Sequence, residues 1–185
     1  MILYPIIICG GATLIATTTS FLRNEKFLST LGFTWLAVVM VVLIDAIVAA
    51  VCRSLPERFA DPERKMFAVS KKEKLFYERL KIRKWKDKIP EIGHLTGFRK
   101  NRLAEPNDPK YLRRFLLENC YGEIVHVVSV PCGFVILAFR RLTKTWISVA
   151  LPVAIVNAIL NILPIFVLRY NYYKLKILEK RRAVK

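Results

Sequence analysis

Glu123 and His126 stand three positions apart in the stretch ENCYGEIVHVVSV, where a polar sequence gives way to an apolar one. Residues at this spacing share one face of a helix, so a carboxylate there can orient an imidazole and raise its basicity. An imidazole prepared in this way is a general base for removing a proton from a hydroxyl group. The same spacing also fits a structural hydrogen-bonded pair at a helix boundary, and it does not decide between the two roles.

Two other uses of His126 are weaker. Cys120 is six positions away, or about 240° around a helix, so its thiol does not face the imidazole. A metal would need further ligands, and His94 lies in a loop-like stretch without supporting spacing. We therefore predict no metal site. We expect free thiols at all four cysteines, since none forms a C-x-x-C pair: Cys9, Cys52, Cys120 and Cys132.

Further polar residues lie in and after the last apolar run. Asn157 and Asn161 are four positions apart on one helical face, and Arg169, Tyr170 and Asn171 follow where the chain becomes basic. Arginine and tyrosine at such an edge are usual membrane anchors. A second interpretation is a polar cluster with His126, open to a lipid headgroup and to a water-soluble reactant. Asp45, the remaining acid within an apolar run, can pair with a polar group of another span.

Four apolar runs position these residues. The chain has 185 residues, 54% of them hydrophobic, and a formal net charge of +17, with the charges kept largely outside residues 1–22, 29–52, 124–139 and 146–168. Roughly 20 apolar residues cross a bilayer core of about 30 Å. We therefore predict an all-α integral membrane protein with about four transmembrane helices. The first run lacks a basic leading region, so we interpret it as a retained span.

A helix is predicted to lead into the third run. Asp108 and Pro109 form a helix start signal, and nothing from there to Val130 requires the helix to stop. Pro131 and Gly133 then allow the run either to cross with a kink or to turn back within the protein. We favour crossing, because the basic residues that follow then have a place outside the apolar core.

The basic residues predict the orientation. Residues 53–119 hold 19 lysines and arginines and residues 169–185 hold seven, whereas the two short connections hold two and three. The positive-inside rule makes the richer side cytoplasmic, so we predict a multi-pass protein of the cell membrane whose C-terminus is cytoplasmic. The predicted organisation is two transmembrane helices in residues 1–54, a basic cytoplasmic segment in residues 55–119, and two further transmembrane helices with a basic tail in residues 120–185.

An amphipathic helix is predicted over residues 71–89 of the cytoplasmic segment. Ser70 followed by Glu73 forms a capping box, and Pro90 marks the end. Nine lysines and arginines accompany an apolar stripe made of Leu75, Phe76, Leu80, Ile82, Trp85 and Ile89. The pattern is typical of a helix lying on a membrane surface, and it fits equally a basic helix packed on the rest of the cytoplasmic segment.

Four stretches in one order resemble the glycosyl-4,4′-diaponeurosporenoate acyltransferase family: RSLPERF, LKIRKWKDKIP, LLENCYGEIVHVVSVP and NILPIFVLRYNYYKLKILEKRR. Members of that family esterify a fatty acyl group onto a sugar hydroxyl of a glycosylated carotenoid. The resemblance runs from about Leu55 to the C-terminus. The chain departs from the family pattern at Tyr172 and Tyr173, where Arg-Pro is expected.

The resemblance implies a membrane acyltransferase with His126 as general base and Glu123 as its orienting partner. An oxyanion needs hydrogen-bond donors, and the resemblance points to a substrate-binding group on the last span: Asn161, Arg169, Tyr170 and Asn171. In a second substrate-binding group, Lys84, Lys86 and Lys88 would hold the phosphates of acyl-CoA or the acidic surface of an acyl carrier protein, and Trp85 would lie at the lipid boundary. The expected partners are the membrane, a lipid-linked acceptor and an acyl donor, with no tightly bound cofactor.

Two other functions stay open. A small membrane methyltransferase could hold a different soluble donor against the same C-terminal helix, and acyl transfer without S-adenosylmethionine would exclude it. A non-catalytic membrane module could use the basic segment to recruit a partner, in which case Glu123 and His126 would matter only for folding. Nucleic-acid binding is not expected despite the positive charge, because the sequence contains no recognised binding module.

Overall fold

The computed structural model describes residues 3–89 and 108–183, without the side chains of residues 3–5, 88 and 183. Every regular element in these two ranges is helical, which confirms the all-α prediction. Most of the predicted loop over residues 91–109, including His94, lies outside the described residues, as does the predicted helix end at Pro90. The predicted start at Pro109 is confirmed, because a helix begins there.

Four helical segments in the described ranges are long and apolar enough to span a membrane. Helices α1 (Leu3–Arg23) and α2 (Phe27–Ser54) come first. Helix α5 (Pro109–Cys132) continues as a 3₁₀ segment (Gly133–Phe139), and α6 (Trp146–Ala183) follows. A bilayer requires every backbone polar group to be hydrogen-bonded, and a helix meets this requirement internally. Large apolar side chains on these helices are exposed, such as Leu43 and Ile47. The four predicted spans are confirmed by length and composition.

The chain divides into two units that each combine early and late parts of the sequence. The first unit comprises Met1–Val51 and Val127–Ile162, and the second comprises Cys52–His126 and Leu163–Lys185. Helices α5 and α6 therefore contribute to both units. His126 is the last residue of its stretch in the second unit, next to the division in α5.

The first unit has a core of small and apolar residues. Trp146 is completely buried there, and its indole N–H donates to the carbonyl oxygen of Ile136 over 2.8 Å. Alanines in the same core, including Ala37 and Ala150, let helices approach closely. Gly133 serves the same purpose, because a Cβ atom at that position would lie 2.6 Å from Nδ2 of Asn157.

The second unit ties the segment after α2 to helices α5 and α6. Phe67 and Tyr172 share a buried core with Leu116 and Phe115 of α5. The Tyr172 hydroxyl donates to the carbonyl oxygen of Pro62 over 2.5 Å. Tyr172, which departs from the family pattern, thus holds the segment around Pro62 against α6.

The prediction of one continuous helix over residues 71–89 is wrong, because three shorter helical elements occupy this range. Helix α3 (Lys71–Arg79) opens as expected, since Ser70 Oγ accepts the Glu73 N–H over 3.1 Å. Lys81 then takes a left-handed backbone with φ of 52°, and α4 (Ile82–Trp85) and a 3₁₀ turn (Lys86–Lys88) follow. The Trp85 indole donates to the Leu80 carbonyl over 2.9 Å, which stabilises the break. The change of direction buries Ile82.

Candidate functional site

An arginine of α6 binds two carboxylates from two other helices. Arg169 donates through Nε and Nη2 to the two oxygens of Glu73 on α3, and through Nη1 to Oε1 of Glu123 on α5. Nη1 also reaches the carbonyl oxygen of Met66 over 3.2 Å, and Nη2 that of Ala68 over 3.4 Å. A guanidinium has five N–H donors, so each donor of Arg169 has an acceptor.

This ion-pair network is shielded from solvent. The side chains of Arg169 and Glu123 are 17% and 6% exposed, so both charges have lost most of their hydration. Removing charges from water is costly unless each is paired and hydrogen-bonded. The network meets this requirement by holding Glu73, Glu123 and Arg169 together. It thereby links α3, α5 and α6 around a single cation.

Glu73 is held in its charged form. Burial acts to raise the pKa of its carboxyl group, but hydrogen bonds from Arg169 and Tyr77 outweigh this effect, and the pKa lies below its ordinary value. The Tyr77 hydroxyl donates to Glu73 Oε1 over 2.5 Å. Burial and the neighbouring Glu73 raise the pKa of Tyr77 well above its ordinary value, so the phenol stays a neutral donor.

Three buried polar atoms on asparagine and glutamate side chains of the second unit lack a hydrogen-bond partner among the described residues. They are Oε2 of Glu123, Oδ1 of Asn119 and Nδ2 of Asn171. Asn119 is anchored by its other amide atom, because its Nδ2 donates to the Leu168 carbonyl over 3.0 Å. Buried polar groups are normally paired, so each of these two acceptors and one donor can still form a further hydrogen bond.

His126 lies on the same face of α5 as two of these residues. Asn119, Glu123 and His126 are spaced four and three positions apart, which places them on one helical stripe. His126 is partly exposed, whereas Asn119 and Glu123 are buried. The described geometry thus puts a partly exposed imidazole one turn along α5 from a buried carboxylate whose Oε1 is fixed by Arg169.

The other predicted site residues of α6 lie in different surroundings. Asn171 is buried with its amide nitrogen unpaired, as described above. Tyr170 is buried in the core with Ile82, and Lys174 Nζ lies 4.5 Å from the centre of its ring. Asn161 belongs to the first unit, where its Nδ2 donates to Asp45 Oδ2 over 3.2 Å. The predicted pairing of Asp45 with a polar group of another span is therefore confirmed.

The predicted donor-binding residues lie in and after α4. Lys84 is exposed, and Lys86 is partly buried, with its amine 3.8 Å from Asp87. Trp85 is partly buried against the core that contains Tyr170. The side chain of Lys88 lies outside the described part of the chain.

Three residues of the site were missed by sequence reasoning: Glu73, Tyr77 and Asn119. Asn119 carried a usable signal, because it stands four positions before Glu123 and so shares its face. Glu73 had already been interpreted as a capping residue, and its partner Arg169 is 96 positions away. No local pattern connects residues at that separation.

The described residues contain no group of three histidine, cysteine, aspartate or glutamate side chains arranged to hold a metal ion. The four cysteines are free thiols, with Cys52 and Cys120 buried.

Comparison with protein-family models gives one match. Residues 59–181 match the model described as glycosyl-4,4′-diaponeurosporenoate acyltransferase. The matched region includes α3, α5 and nearly all of α6, and therefore Glu73, Glu123, His126 and Arg169. Helices α1 and α2 precede it. Among curated proteins and among solved structures, nothing matches the chain.

Proposed function

Because the chain belongs to the glycosyl-4,4′-diaponeurosporenoate acyltransferase family, we propose that it esterifies a fatty acyl group onto a sugar hydroxyl of a glycolipid or glycosylated carotenoid. The observation that supports a site for this reaction is the buried carboxylate of Glu123. Arg169 binds its Oε1, its Oε2 has no partner among the described residues, and His126 follows one helical turn later. A lipid-linked acceptor and a water-soluble donor can meet at a group in this position.

In the proposed reaction, His126 is the general base. The sugar hydroxyl oxygen attacks the carbonyl carbon of an acyl thioester, and an imidazole nitrogen of His126 takes the hydroxyl proton. The tetrahedral intermediate then collapses, the carbon–sulfur bond breaks, and His126 returns the proton to the departing sulfur. The products are an ester and a free thiol, and His126 is neutral again.

Glu123 supports the base through its charge and its position. A carboxylate near an imidazole stabilises the imidazolium that forms when the proton is taken. Arg169 keeps Glu123 in place and is itself held by Glu73, so the negative charge stays fixed relative to α5. In this proposal Arg169 is a positioning residue, since each of its N–H donors already has an acceptor.

Asn171 is the better candidate for stabilising the oxyanion. Its Nδ2 is buried and has no acceptor among the described residues, so it can donate to a developing negative charge without first breaking a hydrogen bond. Tyr170, the residue before Asn171, is also buried and would form part of the wall of the site. Asn161 makes its hydrogen bonds in the first unit.

The donor would be acyl-CoA or an acylated carrier protein, bound without a tightly held cofactor. Lys84 and Lys86 follow the break at Lys81 and offer positive charge to phosphates or to an acidic protein surface. Lys88 belongs to the same proposed group. Trp85, partly buried between them, would fix the lysines on the second unit.

We place this reaction at the cytoplasmic face of the cell membrane. The proposal rests on the excess of lysine and arginine in residues 53–119 and 169–185. No nucleic acid takes part in it.

The test is a pair of substitutions on α5. His126→Ala should abolish acyl transfer in membranes while the protein keeps its normal abundance, because only the base is removed. Val127→Ala, one position on at an exposed site, is the matched control and should keep full activity. Transfer would be followed with a labelled acyl-CoA and with an acylated carrier protein, and by lipid mass spectrometry for the acylated glycolipid. A folded, fully active His126→Ala protein would remove this mechanism.

The donor part of the proposal has its own test. Replacing Lys84, Lys86 and Lys88 together with Gln should raise the apparent KM for a phosphate-bearing donor, and the effect should shrink at high salt, where charges are screened. Replacing Lys110, Arg113 and Arg114 with Gln removes equal charge elsewhere and is the control. An unchanged KM for the donor in the lysine variant would contradict this role.

A further inference from the structure

Helix α3 exposes two chemically different surfaces on either side of its buried face. Tyr77 is buried and Glu73 partly buried, and these residues attach the helix to the second unit through Arg169. The surface on one side, here called the apolar surface, has three exposed apolar side chains and two exposed basic ones: Leu75, Phe76, Leu80, Lys72 and Arg79. Their angular positions on a helix fall within one arc of about 140°.

The surface on the other side of Tyr77 carries only charge. Lys71, Lys74 and Glu78 lie there, and Lys74 pairs with Glu78 over 3.5 Å. An anchored helix with charge on one side and apolar residues with lysine and arginine on the other is what an interface between water and lipid selects. On the apolar surface, Leu75 and Phe76 are about half exposed.

Contacts with α6 place α3 beside a segment that is apolar enough to span a membrane. The rings of Phe76 and Phe166 meet edge to face with centroids 5.8 Å apart, and Tyr77 lies 6.0 Å from the same ring. Phe166 is within the part of α6 that is apolar and long enough to span a membrane. The apolar surface of α3 therefore starts from a side chain already in contact with that segment.

We propose that the apolar surface of α3 lies in the headgroup region of a bilayer that contains anionic phospholipids. Leu75, Phe76 and Leu80 reach the upper acyl chains, while Lys72 and Arg79 extend their aliphatic stems along them and place their charges at the phosphates. A carrier protein is the less suitable occupant, since its acidic surface would meet exposed apolar side chains that border a spanning segment. The inference is independent of the proposed chemistry.

The break at Lys81 is what gives α3 this role. A continuous helix would extend the stripe of Leu75 and Phe76 through Ile82, and the whole stripe would face one partner. The left-handed residue instead directs Ile82 into the protein and leaves the apolar residues of α3 uncovered. The sequence left two interpretations open for residues 71–89, a helix on a membrane surface and a helix packed on protein. In this proposal each applies to a different part, since α4 packs on protein and α3 faces lipid.

The test is site-specific photocrosslinking of the full-length protein. A diazirine-bearing amino acid is placed at position 75 or 80, with position 78 on the charged surface as the control. The protein is illuminated in nanodiscs of equal phosphatidylglycerol and phosphatidylcholine, and adducts are identified by mass spectrometry. We expect phospholipid adducts several-fold more abundant at positions 75 and 80 than at 78. We also expect the yield at 75 to fall in nanodiscs of phosphatidylcholine alone, where Lys72 and Arg79 lose their anionic partners.

Two outcomes would overturn the inference. Equal lipid adduct yields at positions 75 and 78 would show that the apolar surface does not face the bilayer. Adducts to an added acyl carrier protein at position 75, in place of lipid adducts, would assign the surface to that partner. Neither outcome depends on enzyme activity, so failure here is distinguishable from failure of the proposed reaction.

Discussion

The two units each contain a buried polar cluster, and the clusters differ in charge. In the first unit, Asp45 and Asn161 are joined by one hydrogen bond, and Asn161 also donates to Asn157 one turn earlier. In the second, Arg169 pairs with Glu73 and Glu123 through several hydrogen bonds. Both clusters include residues of helices apolar enough to span a membrane, where polar groups are costly.

Under the proposed function, the difference separates a structural cluster from one that supports the reaction. In the first cluster the bond across helices joins the Asn161 amide to the carboxyl group of Asp45. Side-chain hydrogen bonds between membrane helices each contribute about 0.6 kcal/mol and rarely more than about 1.7 kcal/mol. A charged cluster is a more demanding arrangement, because losing one member leaves an uncompensated buried charge. Such a cluster also fixes a strong local field. In the proposed reaction that field supports proton transfer at His126, whereas the hydrogen bonds of the first cluster join only Asp45, Asn157 and Asn161.

The largest effect should follow from removing the shared cation. Arg169→Ala leaves Glu73 and Glu123 without their partner and should destabilise the protein by about 3–5 kcal/mol. Arg169→Lys should recover part of this loss, since an ammonium keeps the charge but not the planar fork. Thermal unfolding in detergent would measure both, with Asn161→Ala as the counterpart in the first cluster. Equal losses for Arg169→Ala and Asn161→Ala would erase the distinction between the clusters.

Gly133→Ala tests the packing around the first cluster. The added methyl group would lie 2.6 Å from Nδ2 of Asn157, so the side chain or the helix must shift. Such overpacking typically costs about 1–3 kcal/mol. Gly32→Ala is the matched control, since nothing lies within 4 Å of its new methyl group. The unfolding temperature should fall for Gly133→Ala alone, and a second substitution, Asn157→Ala, should restore it. An equal fall in unfolding temperature for Gly133→Ala and Gly32→Ala would contradict this packing.

Asp45→Asn and Glu123→Gln compare the clusters directly by activity. Asp45→Asn should cost about 1 kcal/mol or less, the size of one hydrogen bond in a membrane helix bundle, and should leave kcat unchanged. Glu123→Gln keeps the shape but removes the charge beside His126. Its kcat should fall about 10- to 1000-fold, within the range of general-base contributions. A larger activity loss for Asp45→Asn than for Glu123→Gln would move the reactive site to the first unit.

The smallest expected effect is a pH dependence from Glu73. Its pKa is lower in the folded protein than its ordinary value of 4.5, so folding favours the carboxylate. The contribution of Glu73 to the free energy of unfolding is fully present above pH 4.5, the ordinary pKa. This contribution is lost as the pH falls from there through the lower pKa of the folded protein. Unfolding temperatures measured from neutral pH downwards should therefore decline below about pH 4.5, and less steeply in Glu73→Gln. An identical slope in the variant would exclude Glu73 as the source.

Much of the fold was accessible from sequence because it depends on local composition. The apolar runs are long enough to require helices, and a lipid environment leaves their backbone few other choices. The capping by Ser70 and the helix start at Pro109 are likewise local, since each depends on neighbouring residues. The shared face of Glu123 and His126 follows from the helical period alone.

The partners of those residues were decided by tertiary structure. Substrate contact by Arg169 stays a prediction, and packing places its guanidinium between Glu123, 46 positions away, and Glu73, 96 positions away. The break at Lys81 has the same origin, because burying Ile82 against α6 competes with continuing a helix that the local sequence favours. Helical periodicity determines which side chains share a face, whereas the atoms they meet depend on how distant segments pack. For this reason the candidate base and the Glu123 carboxylate were predictable from the sequence, whereas only the fold added Arg169 and Glu73.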